Sequence, residues 1–175
     1  MELRTIEPFI EYFDKVHART MRVVKSIPPD KLEHSFGEGR FTLGDLARHL
    51  AVVERYTWGE CVQGKPQRYH GCGRELADGL ENVVALMERL HRESMQIFSR
   101  FTPEELAAKC LTPDGSPITR WKGLRLMIEH EIHHRGEIYA YLGVLGVKTP
   151  PLYGMTSEEL RAAAAKIQKS TRLSC

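Results

Sequence analysis

Apolar residues recur at three- and four-residue steps over long stretches of this chain, and this periodicity limits its fold more than any other feature. In the first stretch, from about Thr5 to Ile27, apolar side chains form one wide stripe before Pro28 and Pro29. A period near 3.6 residues is typical of amphipathic helices whose apolar face packs on a core. We find no convincing alternation typical of a β-strand, so the sequence predicts an all-α protein.

Five further helical segments follow the first one. The sequences Thr42–Asp45, Thr102–Glu105 and Thr156–Glu159 mark three helix starts, because a threonine and a carboxylate three residues later satisfy the free amides of a first turn. Four long helices predict a four-helix bundle, with a short extra helix and a C-terminal helix. Residues 64–77 form a long loop, so a simple up-down-up-down order is not required. The predicted helices cover about 5–27, 43–64, 78–101, 103–109, 120–145 and 156–168.

Length and composition fit one domain over residues 1–175. A chain of 175 residues buries close to 70% of its unfolded surface. Its hydrophobic fraction of 42% and charged fraction of 27% are typical of globular proteins. The net charge of +2 is spread over interspersed charges of both signs, which argues against a nucleic-acid partner.

Membrane spans and secretion are not expected from the sequence. No apolar run approaches the roughly 18 residues that a spanning helix needs, and the N-terminus lacks the basic-then-apolar pattern of a signal peptide. Scattered thiols without CxxC spacing fit a reducing compartment better than a disulfide framework, so we expect a cytoplasmic protein. The cysteines are Cys61, Cys72, Cys110 and Cys175.

Two histidines four residues apart, His130 and His134, lie within the predicted helix 120–145. Positions i and i+4 share one face of a helix, with Cβ atoms about 5–6 Å apart, so both imidazoles can bind one metal ion. Composition alone gives roughly 0.36 such pairs by chance, so the spacing is weak evidence by itself. The same face carries Met127 and Ile138, and we therefore predict that the pair points inward.

A third histidine, His49, lies on the apolar face of the second predicted helix, between Leu46 and Leu50. A single core histidine is more often bonded to a carbonyl than to a metal, but three on inward stripes favour a metal site. Metal ligands in helical bundles project inward from facing helices. His49, His130 and His134 are therefore the candidate ligands of a divalent ion. Three imidazoles leave a coordination position open; we expect Zn²⁺ or Ni²⁺, with Fe²⁺ or Mn²⁺ as alternatives.

The other histidines carry weaker signals. His17 and His91 lie near the apolar stripes of their helices, where a satisfied core histidine is the commoner outcome. His133 points off the stripe, and His34 and His70 fall in loops. Ligand imidazoles usually donate their second nitrogen to a carboxylate or carbonyl. Candidate partners close in sequence are Asp45, Glu54, Glu131 and Glu137.

Two motifs connect these histidines to a known family. The segment Phe41–Leu50 (FTLGDLARHL) carries the first histidine, and His130–Leu142 (HEIHHRGEIYAYL) carries the other two. Over about residues 1–155 the chain resembles the DinB/YfiT-like family of metal-dependent four-helix-bundle proteins. The resemblance implies the same metal triad and a homodimer, with zinc or nickel in the site. Many members have glutamine where this chain has Glu137.

The resemblance and the predicted site leave three functions open. Relatives with assigned activities include transferases and isomerases that use bacillithiol, mycothiol or glutathione. The first hypothesis is therefore a thiol S-transferase, since three neutral ligands favour an anionic fourth ligand such as a thiolate, which would attack an electrophilic small molecule. The second is a hydrolase using metal-bound hydroxide, with Glu131 or Glu137 as base. The third is a non-catalytic metal-binding stress-response protein. Loops 64–77 and 111–118 are candidates for shaping a substrate pocket.

Overall fold

The computed structural model confirms a mainly helical protein. It describes residues 2–173 and the side chains of residues 2–167. Within this range, no helix is both long and apolar enough to cross a membrane. The helices are α1 (Glu7–Val24), α2 (Leu43–Val52), α3 (Gly59–Cys61), α4 (Leu80–Phe98), α5 (Pro103–Ala107), α6 (Arg120–Val144) and α7 (Ser157–Leu173).

The predicted capping sequences start three of these helices. Thr42 accepts a hydrogen bond from the amide of Asp45, whose carboxylate accepts one from the Thr42 amide. The same reciprocal pair starts α5 at Thr102 and α7 at Thr156. Each box satisfies two amides that the first turn of a helix leaves without partners. These helix starts could therefore be located from the sequence.

The second predicted helix has an irregular middle. A π-helical turn at Val53–Trp58 joins α2 to α3, and the helix ends at Cys61 rather than at residue 64. Gly64 follows in the left-handed region, with a φ of 77°, where a side chain would be strained. A π turn adds one residue to a helical turn and so rotates the face that follows it. Such turns are frequent at functional sites.

The expectation of no strands is wrong at one place. β1 (Lys109–Leu111) pairs antiparallel with β2 (Pro117–Thr119), and Lys109, which was predicted to end the short helix, begins β1. The turn between them lies in the predicted loop 111–118 and contains Gly115, at a φ of 86°. Three-residue strands are too short to show an alternating pattern, which is why the sequence did not indicate them.

The helices pack around two separate apolar clusters. The first cluster contains Val24, Leu46, Val83 and Leu142, and the second contains Phe13, Val62, Phe98 and Leu124. Along α1 and α6 the chain passes from the second cluster to the first, whereas from α2 to α3 and along α4 it passes from the first to the second. α1 is therefore parallel to α6, and α2 is parallel to α4.

This order is up-down-down-up, because the long segment 62–79 carries the chain back along the bundle between α2 and α4. α1 packs against α4 and α6, and α2 packs against the same two helices. Consecutive helices α1 and α2 thus lie diagonally across the bundle. The length of loop 64–77 had already indicated that a simple up-down-up-down order was not required.

A layer of buried polar side chains separates the two apolar clusters. Helices α1, α4 and α6 and the π turn after α2 each contribute one residue to it. Along the chain, each of these residues lies between residues of one cluster and residues of the other. Each of the four residues is no more than 7% exposed. We call this set the polar layer: His17, Glu54, His91 and Glu131.

Three of the cysteines can be assessed in the structure. Cys61, Cys72 and Cys110 are free thiols, and all are buried. This agrees with the prediction that they do not form a disulfide framework. Cys175 lies outside the described residues.

Candidate metal centre

The three predicted histidines come together where α2 packs against α6. Nε2 of His49 lies 3.2 Å from Nε2 of His130. The ring of His134 lies 4.8 Å from that of His49 and 4.5 Å from that of His130, measured between centroids. One ring nitrogen from each residue falls within 4.8 Å of the other two. Residues 81 or more positions apart in sequence therefore present three nitrogen donors to one small volume.

Hydrogen bonds at Nδ1 orient two of the rings. Nδ1 of His49 lies 3.1 Å from the hydroxyl oxygen of Tyr69, and Nδ1 of His134 lies 2.5 Å from Oε2 of Glu137. When Nδ1–H donates to such a partner, Nε2 keeps its lone pair for a metal. The partners thus aim both rings so that their Nε2 atoms can face a common ion.

One of the four predicted carboxylate partners contacts Nδ1 of a ligand histidine. Glu137 contacts His134, whereas Asp45 caps α2 and pairs with Arg48. Glu54 and Glu131 belong to the polar layer, where they face other histidines. Tyr69 was not predicted, because no spacing rule relates a tyrosine in a loop to a histidine 20 residues earlier. Its loop, 64–77, was nevertheless expected near the site.

The imidazoles of His49 and His130 are uncharged at neutral pH. Burial and the neighbouring imidazoles of His134 and His49 together lower the pKa of His130 to about 3. Burial and His134 lower the pKa of His49 to about 4, against an opposing effect of Glu137. A metal binds only the neutral form of imidazole. Both residues are therefore in the protonation state that coordination requires.

The histidine pair on α6 lies at the side of the bundle and not at its centre. His130 and His134 are half-buried, and the buried positions of this helical turn are the next ones along, Glu131 and Arg135. The prediction that the pair points inward was therefore only partly right. A partly open position gives a small molecule access to the three nitrogens.

A cavity of about 260 Å³ opens beside His134 and Glu137. Its other walls include Arg40 and Phe41, which precede α2, and Tyr141 of α6. The cavity therefore combines aromatic surface with one cationic side chain. Loop 111–118 lines a different cavity, which contains none of the three histidines.

The remaining histidines divide into two groups. His133, His34 and His70 are exposed, as their positions off the stripe or in loops predicted. His17 and His91 are buried together in the polar layer, with their rings stacked at a centroid distance of 3.7 Å. Their apolar-stripe positions were a signal for burial, but nothing in the sequence indicated that two helices would bring them into contact.

The sequence of the chain matches a known protein family over almost its whole length. The model of the DinB family matches residues 2–170. The chain belongs to the DinB family. YjoA of Bacillus subtilis (strain 168) is 23% identical over 136 residues, which cover 77% of this chain and 86% of that protein. The family expected from the two histidine motifs is thereby confirmed.

Solved structures confirm the DinB-like fold. A DinB-like protein from Bacillus cereus ATCC 10987 has a TM-score of 0.69 at 20% identity, covering 86% of this chain and 99% of that one. YfiT from Bacillus subtilis has a TM-score of 0.66 at 17% identity, covering 82% and 89% of the two chains. YfiT is described as a probable metal-dependent hydrolase with an unusual four-helix bundle topology.

Proposed function

We propose that His49, His130 and His134 bind one divalent transition-metal ion and that the protein is an enzyme that uses this ion in catalysis. The observation that carries the proposal is the convergence of three imidazole donors within 4.8 Å of one another. The donors come from α2 and α6, which pack against each other. Imidazole suits zinc, nickel and iron, and three such ligands leave a position open for chemistry.

The surrounding residues fit such an ion. Tyr69 and Glu137 hold the Nδ1 atoms of two ligands, so these rings need not reorient when the ion binds. The cavity of about 260 Å³ lies beside His134, so a small molecule bound there would lie next to one of the three ligands. A bound divalent ion would lower the pKa of a thiol or a water molecule held at its open position.

A thiol substrate suits the arrangement best. A free thiol has a pKa of about 8.5 and needs little help to ionise, whereas water needs both a metal and a general base. The acidic groups named as candidate bases or partners are otherwise engaged: Glu137 accepts from His134, Asp45 pairs with Arg48, and Glu131 is buried in the polar layer. Arg40 in the cavity wall can attract an anionic thiol or its co-substrate. We therefore infer a thiol S-transferase acting on an electrophilic small molecule.

An assay with a general electrophile tests this function. The metal-loaded protein is mixed with monochlorobimane and each of several low-molecular-weight thiols, and conjugation is followed by fluorescence. With at least one thiol, we expect the wild-type protein to give a faster conjugation rate than the His130→Ala protein, whose metal site is incomplete. His133→Ala is the matched control, because it removes a neighbouring exposed histidine and should leave the rate unchanged. Equal rates in wild type and His130→Ala with every thiol would contradict the proposal.

Hydrolysis is the second candidate, and the description of YfiT favours it. In this case Glu137 would have to leave His134 and accept a proton from water. Ester, amide and lactam substrates without added thiol separate the two functions. Turnover that needs metal but no thiol, and that is lost in Glu137→Gln, would support hydrolysis over thiol transfer. Metal binding without turnover in either assay would leave the non-catalytic role.

A further inference from the structure

The polar layer is a cluster of potential metal ligands in the middle of the bundle. His17 comes from α1, Glu54 from the π turn after α2, His91 from α4 and Glu131 from α6. One ligand atom from each of His17, Glu54 and His91 lies within 4.8 Å of the other two, and all three residues are buried. Inward-facing histidines and carboxylates on separate helices are the usual way in which helical bundles hold metals.

The contacts within the layer leave several polar atoms without partners. Nδ1 of His91 lies 3.1 Å and 3.3 Å from the two carboxylate oxygens of Glu54. Nδ1 of His17 lies 3.8 Å from Oε1 of Glu131, too far for a hydrogen bond. Nε2 of His17, Nε2 of His91 and Oε1 of Glu131 are buried and have no hydrogen-bond partner within the described part of the chain. Buried polar atoms are almost always satisfied, so these three need an explanation.

The charge of the layer points to a cation. Glu54 and Glu131 are 5% exposed, and no lysine or arginine within the described side chains forms an ion pair with either. Arg135 is buried nearby, but its guanidinium donates to the Val16 carbonyl and the Tyr153 hydroxyl. A divalent ion would balance both carboxylates.

We propose that His17, Glu54 and His91, with Glu131 beside them, form a second divalent-metal site, separate from the three-histidine centre. Two imidazoles and one or two carboxylates suit a first-row divalent ion such as Zn²⁺, Fe²⁺ or Mn²⁺. The π turn fits this role, because it sets the direction of Glu54 in a helix that would otherwise continue regularly. This site does not depend on the proposed activity of the outer centre.

Binding requires a small rearrangement of the two rings. The imidazoles of His17 and His91 lie parallel, with an interplanar angle of 3°, and parallel rings cannot aim in-plane lone pairs at the same point. At least one ring must turn about its Cβ–Cγ bond. Turning the His17 ring costs no hydrogen bond at its unpartnered Nε2, whereas turning the His91 ring would break the contact of its Nδ1 with Glu54.

Metal stoichiometry tests the proposal. The full-length protein is stripped of metal, titrated with Zn²⁺, separated from free ion and measured by elemental analysis. We expect two ions per chain in wild type, one in His130→Ala, one in Glu54→Gln and none in the double variant. Glu60→Gln is the matched control and should bind two ions, because it removes another buried glutamate near Glu54 that pairs with Arg55 and Arg68.

The His130→Ala protein keeps the test decisive even if Glu54→Gln does not fold, since it leaves the polar layer intact. One ion in His130→Ala, with Co²⁺ giving visible absorption bands typical of nitrogen and oxygen ligands, supports the inner site. No ion in His130→Ala, with one ion in wild type, overturns it. One ion in both proteins would support the inner site while contradicting metal binding by the three-histidine centre, so the two proposals fail separately.

Discussion

Replacing Tyr69 with phenylalanine should weaken metal binding without unfolding the protein. The change removes only the hydroxyl, whose oxygen lies 3.1 Å from Nδ1 of His49. That hydroxyl fixes the ring so that Nε2 faces His130. Loss of a hydrogen-bonding partner behind a ligand histidine typically costs 10- to 100-fold in metal affinity. We expect the lower end, about 10-fold or 1.4 kcal/mol, because His49 and Tyr69 are both half-buried.

The effect on folding should be smaller than the effect on binding. A typical intramolecular hydrogen bond contributes about 1 kcal/mol to stability, so the metal-free Tyr69→Phe protein should lose no more than about that amount. Zn²⁺ affinity is measured by competition with a chromophoric chelator, and stability by urea unfolding in EDTA. Tyr139→Phe is the matched control, since Tyr139 is a half-buried tyrosine of α6 that packs on the first apolar cluster. Equal Zn²⁺ affinity in wild type and folded Tyr69→Phe would refute the role assigned to the hydroxyl.

Three further predictions concern Glu137, Arg48 and His130. Glu137→Gln should lower Zn²⁺ affinity less than Glu137→Ala does in the chelator assay, because the amide oxygen still accepts from His134, though without a charge. Arg48→Met should lower the free energy of unfolding in urea by about 3–5 kcal/mol, because Arg48 is fully buried and pairs with carboxylates that would lose their partner. Because the pKa of His130 is lowered in the folded state, the free energy of unfolding of the metal-free protein should be highest above pH 6.5 and should fall as the pH drops towards 3. His130→Gln should reduce that loss by about 1 kcal/mol per pH unit between pH 6 and 4, and unchanged pH slopes in urea unfolding would contradict this.

Local sequence signals were enough to predict the helices. Periodic apolar residues located α1 and α4, and the Thr42, Thr102 and Thr156 capping boxes located three helix starts. These features depend only on residues a few positions apart. The π turn was missed because no local sequence signal marks it. The hairpin was missed because its three-residue strands are too short to show an alternating pattern.

The three histidines of the candidate site could also be predicted from the sequence, but the residues around them could not. The i,i+4 spacing brought His130 and His134 together, and the apolar stripe of α2 indicated His49 as the third member. Tyr69 and the polar layer were not found, because their contacts join residues from helices and loops that no spacing rule relates. The bundle order was also left open, since the direction of α4 becomes visible only from the two apolar clusters.

The most direct test of the three-histidine centre is a crystal structure of the zinc-loaded protein with anomalous scattering measured at the zinc edge. We predict an anomalous peak about 2.0–2.1 Å from Nε2 of His49, His130 and His134, the usual Zn–N distance. The fourth position should hold a water molecule or a small anion that faces the cavity beside Tyr141. Fully loaded crystals with no peak at these nitrogens, or with the His49 ring turned away from the other two, would contradict the account.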